Sequence, residues 1–219
     1  MQQSAGEKRP RPRMEAMADL VFALSLSIGS IALIANSPTS MGEINSHILA
    51  FTFTFLILIT AWIIYTTQMS VLPVETRVVT FLNVVLLLMV ALVPYLLNSV
   101  ELVNPSLSAA DASMIRDYSS TLFALDLSGI LLILATFAHV ISLEEMRLVE
   151  PEVARLFRNG RNRMAVLAGL MAVSVAPQLW AWTVLDVPVR LYVWYVPLVS
   201  YWAGRALRPE SRTFRMRSP

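Results

Sequence analysis

No cysteine occurs in the 219 residues. Disulfides, thiolate catalysis and cysteine-built zinc sites are thereby excluded. Histidine is nearly as scarce: His47 and His139 are too few and too far apart to suggest a metal cluster. Charge is thin as well. Only 15% of the residues are Asp, Glu, Lys or Arg, against about 25% in an ordinary soluble domain. Several catalytic signatures are also missing: there is no H-E-x-x-H, no P-loop, no nucleophile motif and no glycine-rich dinucleotide fingerprint. The carboxylates lie mainly outside the apolar stretches and show no paired catalytic spacing. An ATPase, a protease and a redox enzyme are not supported. The expectation is a protein that is not an enzyme, with no cofactor, no resident metal and no nucleic-acid partner.

What fills the chain instead is hydrophobic: 56% of the residues are apolar, and the mean hydropathy is +0.62. Spanning a bilayer takes roughly 20 mostly apolar residues in a helix. Six stretches approach that length, at about 15–36, 48–71, 78–98, 118–142, 163–185 and 189–206. The second contains no Asp, Glu, Lys or Arg, and the third is read as ending at Pro94 and Asn98. No internal repeat is visible. The segment "LEEMRLVEPEVARLFRNGRNR" between the fourth and fifth stretches is charged and partly amphipathic, and reads as a solvated extension of the fourth helix.

Sixteen of the seventeen basic residues are Arg, and their distribution is lopsided. Basic residues in short loops concentrate on the cytosolic side. The N-terminal tail, the 2–3 loop, the 4–5 loop and the C-terminal tail hold fifteen of them, leaving Arg116 and Arg190 for the opposite face. An even number of spans with both ends inside satisfies this division. The fold expected is therefore all-α: a polytopic membrane protein with six transmembrane helices per subunit and cytoplasmic N- and C-termini. Residues 1–13, "MQQSAGEKRPRPR", read as a disordered basic cytosolic tail; no A-x-A-like cleavage site follows the first apolar run. Residues 14–207 form the transmembrane domain, and 208–219 a second basic tail. Trp180, Trp182, Tyr192, Trp194 and Tyr195 flank the 5–6 turn and fit an aromatic belt at the outer interface.

The first apolar stretch, "MEAMADLVFALSLSIGSIAL", is unusual for carrying Asp19 together with several small residues. At about 100° per residue, Leu20, Leu24, Ile28, Ile31 and Ala35 share one stripe. Ala18, Ser25, Gly29, Ala32 and Asn36 share its neighbour. Ser27 flanks the aliphatic stripe, and Asp19 points away from it. Small residues at this spacing let helices approach closely in lipid. Branched aliphatics can line a hydrophobic constriction that gates ions by excluding water. Periodicity alone favours an aliphatic stripe facing lipid and leaves the pore-lining arrangement open. Deeper polar groups include Asp126 and His139 in the fourth stretch, Asn83 in the third, and Trp62 in the second. Interhelical hydrogen bonding is the expected role for such groups, with a proton relay through Asp126 and His139 as the alternative.

The order of features resembles the transmembrane protein 175 family, the lysosomal potassium channel and its bacterial and archaeal relatives. That family opens with a basic residue, a short spacer, Phe-Ser-Asp and G-V-F-A-I. Here "RMEAMADLVFAL" matches at Arg13, Ala16, Asp19, Val21, Phe22 and Ala23, with Leu24 at the isoleucine position. It departs at Met17, Ala18 and Leu20. Phe55 and Trp62 fit the second helix of the family, with Tyr65 standing where His is expected. Leu82, Asn83 and Pro94 fit the third. The resemblance implies a homotetramer in the bilayer of the cell membrane, with the first helix of each subunit lining a central pore. It implies a constriction at Leu24, Ile28 and Ile31, a pore hydroxyl at Ser27, and a structural motif of Arg13, Asp19, Phe22, Trp62 and Asn83. The Phe-Ser-Asp network with the second helix must be rebuilt around Ala18 and Tyr65. The function implied is a passive potassium-permeable cation channel with K+ as the permeant ion. The alternatives are a non-conducting scaffold or complex subunit, and a proton-conducting channel.

Overall fold

The computed structural model describes residues 13–35, 38, 40–72, 76–101, 107–143, 150–185 and 187–206. The two tails expected at 1–13 and 208–219 lie outside them, apart from Arg13. Eight helices are present among the described residues: α1 (Arg13–Ala35), α2 (Met41–Met69), α3 (Arg77–Glu101), α4 (Ala109–Ser142), α5 (Pro151–Val173), α6 (Pro177–Ala181), α7 (Val189–Val193) and α8 (Tyr195–Ala206). A hairpin of two-residue strands, β1 (Thr183–Val184) and β2 (Val187–Pro188), sits between α6 and α7, with Val184 paired to Val187.

Three of these helices, α2, α3 and α4, are long and apolar enough to cross a membrane. The described apolar part of α1, residues 16–31, is shorter. The 34 residues of α4 extend about 50 Å at 1.5 Å per residue, well beyond a hydrocarbon core of about 30 Å. Side-chain caps set two starts. Ser40 accepts from the Glu43 amide at 3.2 Å ahead of α2, and Ser108 accepts from the Asp111 amide at 3.2 Å ahead of α4. Each supplies an acceptor to a backbone donor that the first turn leaves unpaired.

Helix α4 is the centre of the bundle. Most of its surface is buried, from Ser119 through Phe123, Ile130, Leu134 and Phe137 to Ile141, with Leu125, Leu132 and His139 forming one exposed strip. Helices α3 and α5 pack along it, and α1 packs on α2 and α3. Polar links cross helices in the core: Gln68 Nε2 donates to the Leu134 carbonyl at 2.9 Å, and Ser128 Oγ to the Ala168 carbonyl at 2.8 Å.

Five sequence expectations need correction. Helix α3 runs through Pro94 to Glu101 rather than stopping there. The proline removes only the donor to the Val90 carbonyl, a loss that a packed membrane helix tolerates. The charged 4–5 segment does not extend α4, which ends at Ser142. Its second half is the start of α5, begun by Pro151 in the first turn, where a missing N–H costs nothing. The fifth span is not continuous over 163–185. Helix α5 ends at Val173, and Pro177 then opens the five-residue α6. The sixth span is split at Trp194, because Pro197 has no N–H to offer the Val193 carbonyl. Trp194 also leaves the aromatic belt: it is buried against Phe123, with ring centroids 4.4 Å apart. Trp182, Tyr192 and Tyr195 are exposed.

Candidate functional site

The first helix has two distinct faces. Ala18, Phe22, Ser25 and Gly29 are buried, so the small stripe, with one aromatic inserted, packs inside the subunit. A Cβ on Gly29 would meet the Phe51 ring at 3.7 Å and the Thr54 methyl at 4.0 Å, which shows how near α2 approaches. The opposite face carries the aliphatic stripe. Leu24 is 60% exposed and Ile31 61%, with Ile28 and Ser27 exposed beside them. Among the described residues, this stripe is left largely uncovered. The Ser27 hydroxyl donates to the Ala23 carbonyl one turn back, at 2.9 Å. Its proton is thus committed to the backbone, and its oxygen lone pairs are left for an approaching donor or cation.

The other face is tied down near its start. Trp62 Nε1–H donates to Asp19 Oδ1 at 2.9 Å, linking α2 to α1. Below this link the Phe22 ring packs against Tyr65 at 5.9 Å between centroids. Phe22 and Tyr65 are both buried, with Ala18 beside them in the core. Tyr65 thus occupies the expected histidine position as an aromatic packing partner, and Ala18 contributes smallness where the family has a serine. Asn83 is buried in α3, and its side-chain oxygen has no partner among the described residues. Arg13 opens α1; its side chain lies outside the described set. Phe55 is exposed on α2.

The comparisons with known proteins converge on the same segment. The family model described as the endosomal/lysosomal potassium channel TMEM175 matches residues 13–94. The fold agrees with a crystal structure of a lysosomal potassium-selective channel TMEM175 homolog from Chamaesiphon minutus. The TM-score is 0.60, identity is 18%, and the match covers 90% of this chain and 97% of that one. Residues 13–94 are thus similar to the TMEM175 family. No curated protein sequence matches the chain. Both matches are to potassium channels, and three of the described helices here are long and apolar enough to cross a membrane. The matched residues include every position quoted for the resemblance, from Arg13 to Pro94.

Outside the TMEM175 segment, the two polar residues considered for a proton relay are not brought together. Asp126 and His139 lie thirteen positions apart on α4, about 20 Å at the helical rise. Asp126 is buried, with Oδ2 lacking a partner among the described residues. His139 is exposed, its Nδ1 lying 3.0 Å from Arg161 Nη1.

One functional-looking group was missed entirely. Arg190, counted from the sequence as an outer-loop charge, is 1% exposed. Its guanidinium pairs with Asp117 Oδ1 at 2.6 Å and donates to Ser120 Oγ at 2.8 Å and Thr121 Oγ1 at 2.9 Å. It also takes the carbonyls of Ser174 at 2.8 Å and Val175 at 2.9 Å, just past the end of α5. A cation at a helix C-terminus meets the negative end of the dipole. Arg190 is therefore the clasp that holds α5, α4 and α7 together where the fifth helix is broken. The sequence signal was indirect: a lone Arg sits between Pro188 and Pro197, close to Tyr192, Trp194 and Tyr195.

Proposed function

We propose that the chain is a passive potassium-permeable cation channel of the cell membrane, built as a homotetramer of six-span subunits with both termini cytoplasmic. The observation that carries this reading is the asymmetry of α1. Its small face is consumed inside the subunit, whereas Leu24, Ser27, Ile28 and Ile31 are presented outward. Around a shared axis, four copies of the three aliphatics form successive apolar rings. Such rings exclude water and make a passing ion shed part of its hydration shell, a cost that falls differently on ions of different size. The outward lone pairs of four Ser27 hydroxyls then offer oxygen to a cation and nothing to an anion. No T-V-G-Y-G carbonyl filter occurs in the chain, so discrimination rests on these rings. The fifteen-to-two arrangement of basic residues supports the orientation.

The test is a reversal potential for purified protein in liposomes under opposed potassium and sodium gradients. A potential displaced towards the potassium equilibrium, with Leu24→Ala changing conductance or shifting that potential, is the expected result. Absence of flux, together with a monomer in detergent, would favour a non-conducting scaffold. Flux carried by protons and lowered by His139→Ala would favour proton conduction.

A further inference from the structure

A cleft with no α1 residue in its lining runs between α2, α4, α5 and α8. It holds about 510 Å3 of empty space, part of it open to the surroundings. Its walls are aliphatic, formed by residues such as Ile57, Ile64, Leu131, Leu134 and Leu198. At one end the lining changes character. Arg163 and Tyr201 border both this cleft and an adjoining polar hollow of about 290 Å3, completed by Gly204 and Arg205. The Arg163 guanidinium lies over the Tyr201 ring, 5.9 Å from its centroid, and Arg205 Nη1 donates to the Tyr201 hydroxyl at 3.4 Å. Gly204 leaves the room: a Cβ there would sit 2.8 Å from Arg163 Nη1. Among the described residues, neither Arg163 nor Arg205 has a carboxylate within ion-pair distance.

We infer that this cleft binds an anionic phospholipid, one acyl chain lying along the aliphatic walls and the phosphate held by Arg163 and Arg205. Two guanidiniums that meet at one tyrosine repel each other, and no carboxylate among the described residues offsets them. A phosphate satisfies both, through planar donors that match its oxygens. Long arginine stems reach naturally from an apolar wall to the headgroup level, and basic pockets between membrane helices are established headgroup sites. The cleft is mostly apolar with few convergent polar groups, as ligand pockets usually are. The charge at its mouth selects the acidic lipid over a neutral one. The site is separate from the α1 face, so it stands or falls independently of ion conduction.

The experiment is native mass spectrometry of the full-length protein in detergent, titrated with phosphatidylglycerol, with phosphatidylcholine, or with glycerol 3-phosphate as a soluble anion. Phosphatidylglycerol is expected to bind at least tenfold more tightly than either competitor. Arg163→Gln combined with Arg205→Gln should remove that preference, and Ala61→Phe, which fills the cleft wall, should weaken binding of the lipid itself. Arg77→Gln should change neither. Equal binding of the two lipids, equal binding of glycerol 3-phosphate, or an unaltered preference in the double variant would each overturn the proposal. A photoactivatable phosphatidylglycerol on the unmodified protein gives a second reading if a variant fails to fold. Crosslinks on α2 or α8 peptides from the cleft support the site, and crosslinks confined elsewhere, or to a second copy of the chain seated there, defeat it.

Discussion

The molecule has two joints built on an aspartate, and they work differently. Asp19 on α1 receives one hydrogen bond, from Trp62, at the rim of the subunit. Asp117 on α4 meets an arginine that is itself buried and shared among hydroxyls and backbone carbonyls of three segments. The first joint sets the angle of a peripheral helix whose other face is uncovered. The second closes a broken helix in the interior. An error at the first joint would misdirect the aliphatic face of α1; an error at the second would undo the packing of α4, α5 and α7.

This contrast predicts a graded set of effects. Arg190→Met should be the most damaging, costing about 3–5 kcal/mol because Asp117 and the freed carbonyls lose their partner. The expected observation is a large fall in the thermal unfolding temperature in detergent, or loss of a monodisperse peak; near-normal unfolding would mean the clasp is dispensable. Trp62→Phe should cost less, about 1–2 kcal/mol for a hydrogen bond lost at the rim. It should reduce oligomer yield more than subunit stability, a split read by comparing size exclusion with thermal unfolding. Asp117→Asn keeps an acceptor for the arginine and leaves its neutral partners in place. With the Asp117 side chain 43% exposed, the loss should be about 1 kcal/mol or less. Leu185→Gly should act in the opposite direction. Leu185 has φ 53° in the two-residue hairpin loop, a conformation that glycine adopts without strain, for a gain of about 0.5–1 kcal/mol. A lower unfolding temperature for this variant would show that the side chain contributes more than its backbone strain costs.

The same division separates what could be read from the sequence and what could not. In the segment 13–101 the long apolar runs located α1, α2 and α3 to within a few residues at most ends. Their geometry is local, and α1 shows its buried side through its small residues and Phe22. Pro94 misled because its cost depends on neighbours that a linear reading does not see. In the segment 109–206 the central α4 was legible as an apolar run. The break after Val173 was not, because it depends on Arg190 reaching back sixteen residues to receive the loosened carbonyls. Charge counting placed that arginine in solvent. Only the folded chain shows that helix C-terminal carbonyls and an acidic side chain from α4 replace its water. For Leu24, Ile28 and Ile31, the subunit fold shows their exposure, and the proposed tetramer would give that exposure a use.

The most direct measurement uses the absence of native cysteine, which makes any introduced thiol unique. Leu24→Cys on α1 and Leu132→Cys on α4, the latter 56% exposed on another helix, are compared in liposomes during potassium flux with a small water-soluble cationic thiol reagent. The account predicts that flux through the Leu24→Cys protein is blocked and flux through the Leu132→Cys protein is untouched. Unchanged flux at Leu24→Cys, or equal sensitivity at both positions, would contradict a pore lined by the first helix.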